Sequence, residues 1–203
     1  MKYIVLSPKI KKNKFNKIEF IIDEEILSFI YKLNFNFYIV TTFNKKNLNF
    51  LKKSSGLILS GGGDIGTISN KKIDIKRDNI EKKLYKFFLK TNKPILGICR
   101  GFQFIANQNN INLEKQLGHV RKFHKLRLAK NQFIKKKIIF VNSYHNYIIR
   151  TVPKNFMNIS STKDGSIEIM VHKKKRILCL MFHPERNMGS KSYMLKVIKS
   201  FFK

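Results

Sequence analysis

The sequence predicts an α/β fold with a mostly parallel central sheet and helices on both of its faces. In the first half of the chain, short apolar stretches of strand length alternate with segments of helical periodicity. A glycine-rich loop and a Gly-x-Cys-x-Gly turn each directly follow one of these apolar stretches. This alternating order builds parallel sheets, because each crossover helix packs back onto the sheet. The second half contains consecutive strand-like stretches, which predict additional short antiparallel strands.

The elements follow from the spacing of apolar residues and from turn residues. Strands are predicted at residues 3–7, 35–41, 56–60, 94–98, 138–141, 157–161, 166–171 and 177–182. Helices are predicted at residues 18–33 and 78–90, after the Gly-x-Cys-x-Gly turn, and from residue 191 onward, with a short helix or turn at 45–53 and a polar loop at 67–76. Asp164-Gly165 is typical of a hairpin turn. Since no linker or internal repeat divides the chain, residues 1–203 are predicted to form a single domain.

Composition limits the class of protein. A chain of 203 residues with two cysteines cannot depend on a disulfide framework, which favours a reduced, cytoplasmic protein. We expect no secretory signal and no membrane association, because no apolar run approaches the length of a membrane span. The formal net charge is +30, but the lysines are dispersed and no nucleic-acid-binding motif accompanies them. The charge therefore indicates a solvated basic surface rather than specific nucleic-acid binding, while attraction of an anionic small molecule stays open.

The stretch Gly97-Ile98-Cys99-Arg100-Gly101 has the pattern of a nucleophile elbow, in which a strand turns sharply into a helix. The flanking glycines leave room for a strained backbone, and the helix N-terminus favours a thiolate. The backbone N–H of Arg100 would point toward a developing oxyanion. By itself this stretch does not distinguish a nucleophile from a buried structural thiol.

Two further stretches predict partners for Cys99. Three glycines follow the strand at 56–60, and the backbone N–H of Gly62 could be a second oxyanion donor, although a plain glycine turn has the same pattern. His183-Pro184-Glu185 follows the last predicted strand. There His183 would serve as the acid/base and Glu185 would orient it, although such a tripeptide is also typical of a surface turn.

The remaining histidines are less informative. Val141-Asn142-Ser143-Tyr144-His145 ends a strand at the same predicted edge, where His145 could line a pocket or be a hydrogen-bonded core residue. His119 and His124 flank a basic segment, and we expect them at the surface or the pocket rim. No zinc-type spacing joins them to His145, so neither a metal site nor a cofactor is predicted. Cys179 lies between apolar neighbours and is predicted to be in the core.

In this order, the Ser-Gly-Gly-Gly-Asp loop, Gly-Ile-Cys-Arg-Gly-Phe-Gln, Val-Asn-Ser-Tyr-His and His-Pro-Glu resemble the class I glutamine amidotransferase superfamily. The branch that they resemble contains the γ-glutamyl hydrolases, including γ-glutamyl-γ-aminobutyrate hydrolase. The resemblance implies a flavodoxin-like three-layer sandwich and a Cys99-His183-Glu185 triad, with an oxyanion hole at Gly62 and Arg100. It also implies that the substrate contacts Gly63, Gln103, Ser143, Tyr144 and His145. Tyr147 and Phe102 depart from the usual Gln and Met of the family.

The resemblance implies hydrolysis of a γ-glutamyl amide to glutamate and an amine through a γ-glutamyl thioester. The segment Arg77-Asp78-Asn79-x-Glu81-Lys82 is similar to that of the γ-glutamyl-CDP-amidate hydrolases of capsule phosphoramidate synthesis. Such a chain would bind a small-molecule γ-glutamyl conjugate, with a homodimer as one expectation for its assembly. The alternatives are a γ-glutamyl-polyamine or -aminobutyrate hydrolase, a glutaminase subunit that delivers ammonia to a synthase, and a non-catalytic or nucleic-acid-associated protein that retains the fold.

Overall fold

The computed structural model describes residues 2–203, and a seven-stranded sheet forms its centre. The strands are β1 (Tyr3–Ser7), β2 (Lys9–Lys12), β3 (Ile18–Ile21), β4 (Asn36–Ile39), β5 (Leu57–Leu59), β6 (Ile95–Ile98), β7 (Glu114–Lys115), β8 (Val120–Arg127), β9 (Ile138–Tyr144), β10 (Tyr147–Ile148), β11 (Phe156–Ser161), β12 (Ile167–His172) and β13 (Ile177–Leu180). The α-helices are α1 (Glu24–Lys32), α2 (Leu48–Lys53), α3 (Gly66–Ser69), α4 (Lys72–Lys90), α5 (Arg100–Gln108) and α6 (Lys191–Phe201). A 3-10 turn, Lys45–Asn47, precedes α2.

The central sheet has the order β11-β12-β13-β6-β5-β1-β4. Strands β13, β6, β5, β1 and β4 are parallel to one another, whereas β12 is antiparallel to both β11 and β13. Three two-stranded ribbons lie outside this sheet: β2-β3, β7-β10 and β8-β9. The predicted mostly parallel sheet with added antiparallel strands is therefore confirmed.

Two apolar cores lie on opposite faces of the sheet. Consecutive strand residues alternate between them: Leu96 and Ile98 enter one core, whereas Ile95 enters the other. Helices α1 and α6 contribute their buried residues to the first core, and α2, α4 and α5 contribute theirs to the second. Since strands buried on both faces are apolar throughout, this layering explains the continuous apolar runs in the sequence. The predicted three-layer sandwich is confirmed.

Two predicted elements are wrong in extent. Helix α1 begins at Glu24 and not at residue 18, because residues 18–21 pair with β2 as a hairpin whose Ile18 and Phe20 are exposed. That run is rich in β-branched and aromatic residues, which favour a strand. The predicted loop at 67–76 contains α3 and the first turn of α4, separated by Asn70 at φ 54°. Strand β8 was not predicted at all, because its largely exposed, lysine-rich residues lack apolar alternation.

The parallel strands bring the predicted motifs to one edge of the sheet. The glycine loop follows β5, the elbow follows β6, and His183 follows β13, all at carboxyl ends of neighbouring strands. Ligands of open α/β sheets bind at this edge. Among residues 2–203, no helix is both long enough and apolar enough to cross a bilayer.

Candidate active site

Cys99 lies at the tip of a strained turn between β6 and α5. Its backbone has φ 49° and ψ −101°, in a region that costs a non-glycine residue about 1–3 kcal/mol. Hydrogen bonds hold the turn from both sides, since the Cys99 N–H donates to Leu180 O at 2.8 Å and the Gln103 N–H donates to Cys99 O at 3.0 Å. The strain is therefore imposed by the sheet and the helix together.

The flanking glycines are required by close packing. A Cβ on Gly101 would lie 2.1 Å from the Leu59 carbonyl oxygen, and one on Gly97 would lie 2.9 Å from the Gly101 backbone. No side chain fits at either position without moving backbone. The glycines thus allow α5 to begin directly against strands β5 and β6.

His183 is oriented by two neighbours. Its Nδ1 lies 2.6 Å from Glu185 Oε1, and both residues are buried. The side chain of Asn142 holds the His183 backbone from both sides, because its Oδ1 accepts from the His183 N–H at 2.9 Å and its Nδ2 donates to the His183 carbonyl at 2.8 Å. With Nδ1 engaged by Glu185, Nε2 is the nitrogen available for proton transfer.

The electrostatics favour a protonated His183. Burial acts to lower the pKa of His183, but the negative charges of Cys99 and Glu185, and hydrogen bonds to both, raise it to about 10. The arrangement therefore joins a nucleophile to an acid that can protonate a leaving group.

The glycine loop is held from below by Arg77 of helix α4. Arg77 Nη2 donates to the Ser60 carbonyl and Nη1 donates to the Gly62 carbonyl, each at 2.7 Å. Gly62 and Gly63 have φ values of 81° and 76°, which favour glycine. The loop conformation is thus determined by a buried arginine together with two glycines.

Arg77 belongs to a buried ion network. Glu81 accepts from Arg77 Nε at 2.8 Å and from Arg100 Nη1, while Arg100 Nη2 binds Asp78. Burial acts to raise the pKa of Glu81, but Arg100 and Arg77 hold it below its usual value. Burial and the charge of Arg100 lower the pKa of Arg77 to about 10. The network joins α4, the elbow and the glycine loop into one support.

A pocket of about 240 Å³ contains most of the predicted site residues. Those lining it are Gly62, Gly63, Cys99, Gln103, Tyr144, His145 and His183. Gln103 Nε2 also donates to the Tyr147 carbonyl at 3.1 Å. Glu185 does not line the pocket and acts there only through its contact with His183. Larger grooves of about 590 and 570 Å³ lie elsewhere and contain none of these side chains.

Three predicted residues are placed differently from the rest. The His145 side chain is fully buried, with its Nε2 3.3 Å from Glu168 Oε1. The Ser143 side chain is fully buried, and its hydroxyl donates to the His119 carbonyl at 2.6 Å. The Arg100 side chain points into the ion network, so only its backbone N–H, at the start of α5, is free to serve a ligand. The structure therefore does not bring the Ser143 side chain into the pocket.

The pocket has four further wall residues to which the sequence analysis assigned no role: Asp64, Asn146, Tyr147 and Arg186. Asp64 ends the quoted Ser-Gly-Gly-Gly-Asp motif, Tyr147 was named only as a departure from the family, and Asn146 and Arg186 each directly follow a motif. Asn142 was quoted only as part of its motif, although it holds His183 in place.

Two cations, Lys9 and Arg186, contact residues of the pocket wall. Lys9 of β2 packs against the glycine loop so closely that a Cβ on Gly62 would lie 1.8 Å from Lys9 Cε. Lys9 Nζ pairs with Asp23 at 2.9 Å, and Arg186 Nη2 lies 3.7 Å from the same carboxylate. Arg186 also stacks on Tyr144, with its guanidinium carbon 4.9 Å from the ring centroid. Arg186 Nε also lies 3.3 Å from Glu25 Oε2, so the two cations, from distant parts of the chain, are paired with two carboxylates.

Comparison with known proteins identifies the family. The peptidase C26 family model matches residues 34–185, which include the glycine loop, the elbow and the His183-Pro184-Glu185 segment. The chain belongs to the peptidase C26 family. This family is related to the class I glutamine amidotransferases. The resemblance that the four motifs predicted is therefore confirmed.

Two proteins that are similar to this chain have different activities. It is 34% identical over 146 residues to a γ-glutamyl-CDP-amidate hydrolase from Campylobacter jejuni subsp. jejuni, covering 72% of this chain and 68% of that protein. It is 31% identical over 148 residues to a glutamine-hydrolysing GMP synthase from Wolbachia sp. subsp. Brugia malayi, covering 68% of this chain and only 28% of the synthase.

A solved structure supports the same fold. The crystal structure of a protein described as a GMP synthase subunit from Thermoplasma acidophilum aligns with a TM-score of 0.76 at 21% identity. The alignment covers 100% of this chain and 94% of that chain. At this identity the likeness concerns the fold alone.

Proposed function

We propose that this peptidase C26 chain hydrolyses a γ-glutamyl amide through a thioester on Cys99. The observation that carries the proposal is the position of Cys99 on a strained turn at a helix N-terminus, in one pocket with a His183 that Glu185 orients at 2.6 Å. The family assignment supports cysteine-type amide hydrolysis.

In the first half-reaction, the Cys99 thiolate attacks the δ-carbonyl carbon of the glutamyl group and a C–S bond forms. The carbonyl oxygen becomes an oxyanion that accepts hydrogen bonds from the backbone N–H groups of Gly62 and Arg100. Loss of one such donor typically lowers the rate by about a hundredfold or more. Protonated His183 gives its proton to the leaving nitrogen, the C–N bond breaks, and the amine departs.

In the second half-reaction, neutral His183 takes a proton from water as the water oxygen attacks the thioester carbon. The tetrahedral intermediate collapses, the C–S bond breaks, and glutamate leaves. The products of this step include the Cys99 thiolate and the His183 imidazolium, which restores the starting state. Throughout both steps Glu185 holds the imidazole ring in orientation.

The leaving group that we propose is a cytidine diphosphoramidate. Support comes from the 34% identical hydrolase and from Lys9 and Arg186 at the mouth of the pocket. A diphosphate carries negative charges that these two cations would attract, in competition with Asp23 and Glu25. The glutamyl end would then contact Gln103, Gly63 and Tyr144 on the inner wall.

A second candidate is a glutaminase subunit that delivers ammonia to a synthase. The similarity to GMP synthases favours this alternative. In that case glutamine itself would be the substrate, and turnover would depend on a partner protein. A cytoplasmic location, homodimer formation and the lack of a specific nucleic-acid partner remain predictions.

The experiment is glutamate release from glutamine, γ-glutamyl-γ-aminobutyrate, a γ-glutamyl dipeptide and γ-glutamyl-CDP-amidate. Each substrate is tested with the native chain, with Cys99→Ala, and with Cys179→Ala as a matched control at the only other cysteine. We expect fastest turnover of γ-glutamyl-CDP-amidate, its loss in Cys99→Ala, and retention in Cys179→Ala. Activity on glutamine alone, or only with an added synthase, would favour the glutaminase. Glutamate release by Cys99→Ala at the native rate would refute the thioester mechanism.

A further inference from the structure

Three buried titratable side chains converge next to the pocket wall. They are His119, just before β8, His145, just after β9, and Glu168, on β12. One nitrogen from each histidine and one carboxylate oxygen all lie within 4.8 Å of one another. His145 Nε2 is 3.3 Å from Glu168 Oε1, and His119 Nδ1 is 3.9 Å from the same oxygen.

The polar atoms of this cluster lack hydrogen-bond partners among the residues that the structure describes. This holds for His119 Nδ1, both ring nitrogens of His145 and both carboxylate oxygens of Glu168. His124 Nε2 is also buried and without a hydrogen bond, and its ring centroid lies 5.0 Å from that of His119. A buried polar group without a partner is destabilising, and more so if it is charged. Five such atoms on the three converging side chains indicate a shared ligand.

The orientation of His119 is that of a metal ligand. Its Nε2 lies 2.8 Å from Asp164 Oδ2, so Nε2–H can donate to that carboxylate. Nδ1, which faces Glu168, then carries the free lone pair. A carboxylate that holds the far nitrogen of a ligating histidine is a recurrent feature of metal sites.

The spacing also suits a metal. Zn–N and Zn–O bonds of about 2.0–2.1 Å place neighbouring ligands of a tetrahedral site about 3.4 Å apart. The 3.3 Å distance matches that value, whereas the 3.9 Å distance and the overall spread of up to 4.8 Å exceed it, so ion binding would draw the three ligand atoms closer together. Histidine nitrogens with one carboxylate match zinc, whereas magnesium and calcium prefer oxygen ligands alone.

We propose that His119, His145 and Glu168 bind one Zn²⁺ ion. The ion would compensate the buried carboxylate of Glu168, for which the sheet offers no hydrogen bond. It would also join the β8-β9 ribbon, which carries Tyr144, to strand β12 of the central sheet. The proposal is independent of the proposed hydrolysis, since it concerns binding of the metal alone.

The test is calorimetric titration of the metal-free Cys99→Ala chain with Zn²⁺, and titration with Co²⁺ followed by visible absorption. The Cys99→Ala background removes the catalytic thiol as a competing ligand. We expect one equivalent to bind, with affinity lowered at least about a hundredfold by Glu168→Gln or His119→Gln and about tenfold by Asp164→Asn. The control is His172→Gln, a histidine on the same strand as Glu168 but outside the cluster, which should change the affinity less than twofold.

Failure to bind one equivalent would overturn the proposal, as would binding that Glu168→Gln and His119→Gln leave unchanged. Far-UV circular dichroism of each metal-free variant checks that it folds. If a ligand variant does not fold, X-ray absorption of the zinc-loaded native chain decides the question. We expect the zinc spectrum to show scattering from imidazole ligands and no scattering from sulfur. A sulfur ligand to the zinc would refute the proposed site.

Discussion

The Nη1 nitrogen of Arg77 donates a hydrogen bond to the carbonyl oxygen of Gly62 at a distance of 2.7 Å. A second nitrogen of the same guanidinium binds the Ser60 carbonyl, so one planar group holds both ends of the glycine turn. Glu81, fully buried, holds Arg77 in turn. The proposed oxyanion donor at Gly62 is therefore positioned by a side chain of helix α4 that touches no substrate.

Replacing Arg77 by Lys keeps the positive charge but cannot hold two carbonyl groups at once. We expect Arg77→Lys to lower kcat by ~10–100-fold while KM changes little, because the oxyanion donor moves relative to the thiolate. Steady-state glutamate release measures both constants. Arg127→Lys, at an exposed arginine, is the matched control, and an Arg77→Lys enzyme with native kcat would contradict the positioning role.

The raised pKa of His183 predicts the alkaline limit of activity. The imidazolium is present below its pKa of about 10 and is lost as the pH rises through that value, so kcat/KM should fall on approach to about pH 10. Glu185→Gln removes one of the charges that raise this pKa, and the alkaline limb should move to lower pH as kcat decreases. The pH profile of glutamate release measures the shift. The control is Glu114→Gln, at an exposed carboxylate, which should leave the alkaline limb of the pH profile unchanged. A shift of this limb to higher pH in Glu185→Gln would contradict its assignment to His183.

Asn142 positions His183 without facing the reacting atoms. Asn142→Ala removes the contacts to the His183 N–H and carbonyl, together with a 3.1 Å hydrogen bond to the Asn187 carbonyl. We expect kcat to fall by ~10–100-fold with KM within twofold, because small displacements of a catalytic group are costly. Kinetics at saturating substrate measure this split. Asn158→Ala, at an exposed asparagine, is the control, and a change in KM alone would refute the role.

Lys9 distinguishes between the proposed leaving groups. Lys9→Met should raise KM for γ-glutamyl-CDP-amidate about fivefold, the effect of a partly exposed ionic contact worth ~1 kcal/mol. The same variant should change KM for a γ-glutamyl dipeptide, which carries no phosphate, less than twofold. Lys12→Met, on the same hairpin, is the control. Equal effects of Lys9→Met on both substrates would argue against a phosphate contact at Lys9.

Strain at Cys99 predicts a stability difference between two inactive variants. Cys99→Gly should be more stable than Cys99→Ala by ~1 kcal/mol, because only glycine adopts the left-handed backbone freely. Urea unfolding of the two variants measures the difference in free energy of unfolding. In contrast, Ala106→Gly, inside α5, should lower the free energy of unfolding by at least ~1 kcal/mol, because glycine is unfavourable in a helix interior. Equal stability of the two Cys99 variants would show that the turn stores no strain.

The motifs that sequence reasoning found are contiguous, which is why they could be found. The elbow needs glycines on both sides of Cys99, and the steric reason for each is the backbone packed against it, at Leu59 and Gly101. Apolar runs also predicted the buried parallel strands correctly, and the contiguous motifs predicted the family. The β2-β3 hairpin and the exposed strand β8 were not predicted, because neither buries an alternating apolar face.

The sequence by itself determined the backbone of the elbow, the two-sided burial of the sheet and the edge at which the site lies. Only the tertiary structure decided which side chains share that edge. Lys9 reaches Gly62 from a hairpin far away in the chain, and Arg77 reaches the same residue from a helix. The neighbours Ser143 and Tyr144 separate, one bonded to His119 and the other in the pocket wall. The physical reason is that adjacent strand residues face opposite sides, so the direction of a side chain follows from strand register and packing rather than from proximity in sequence.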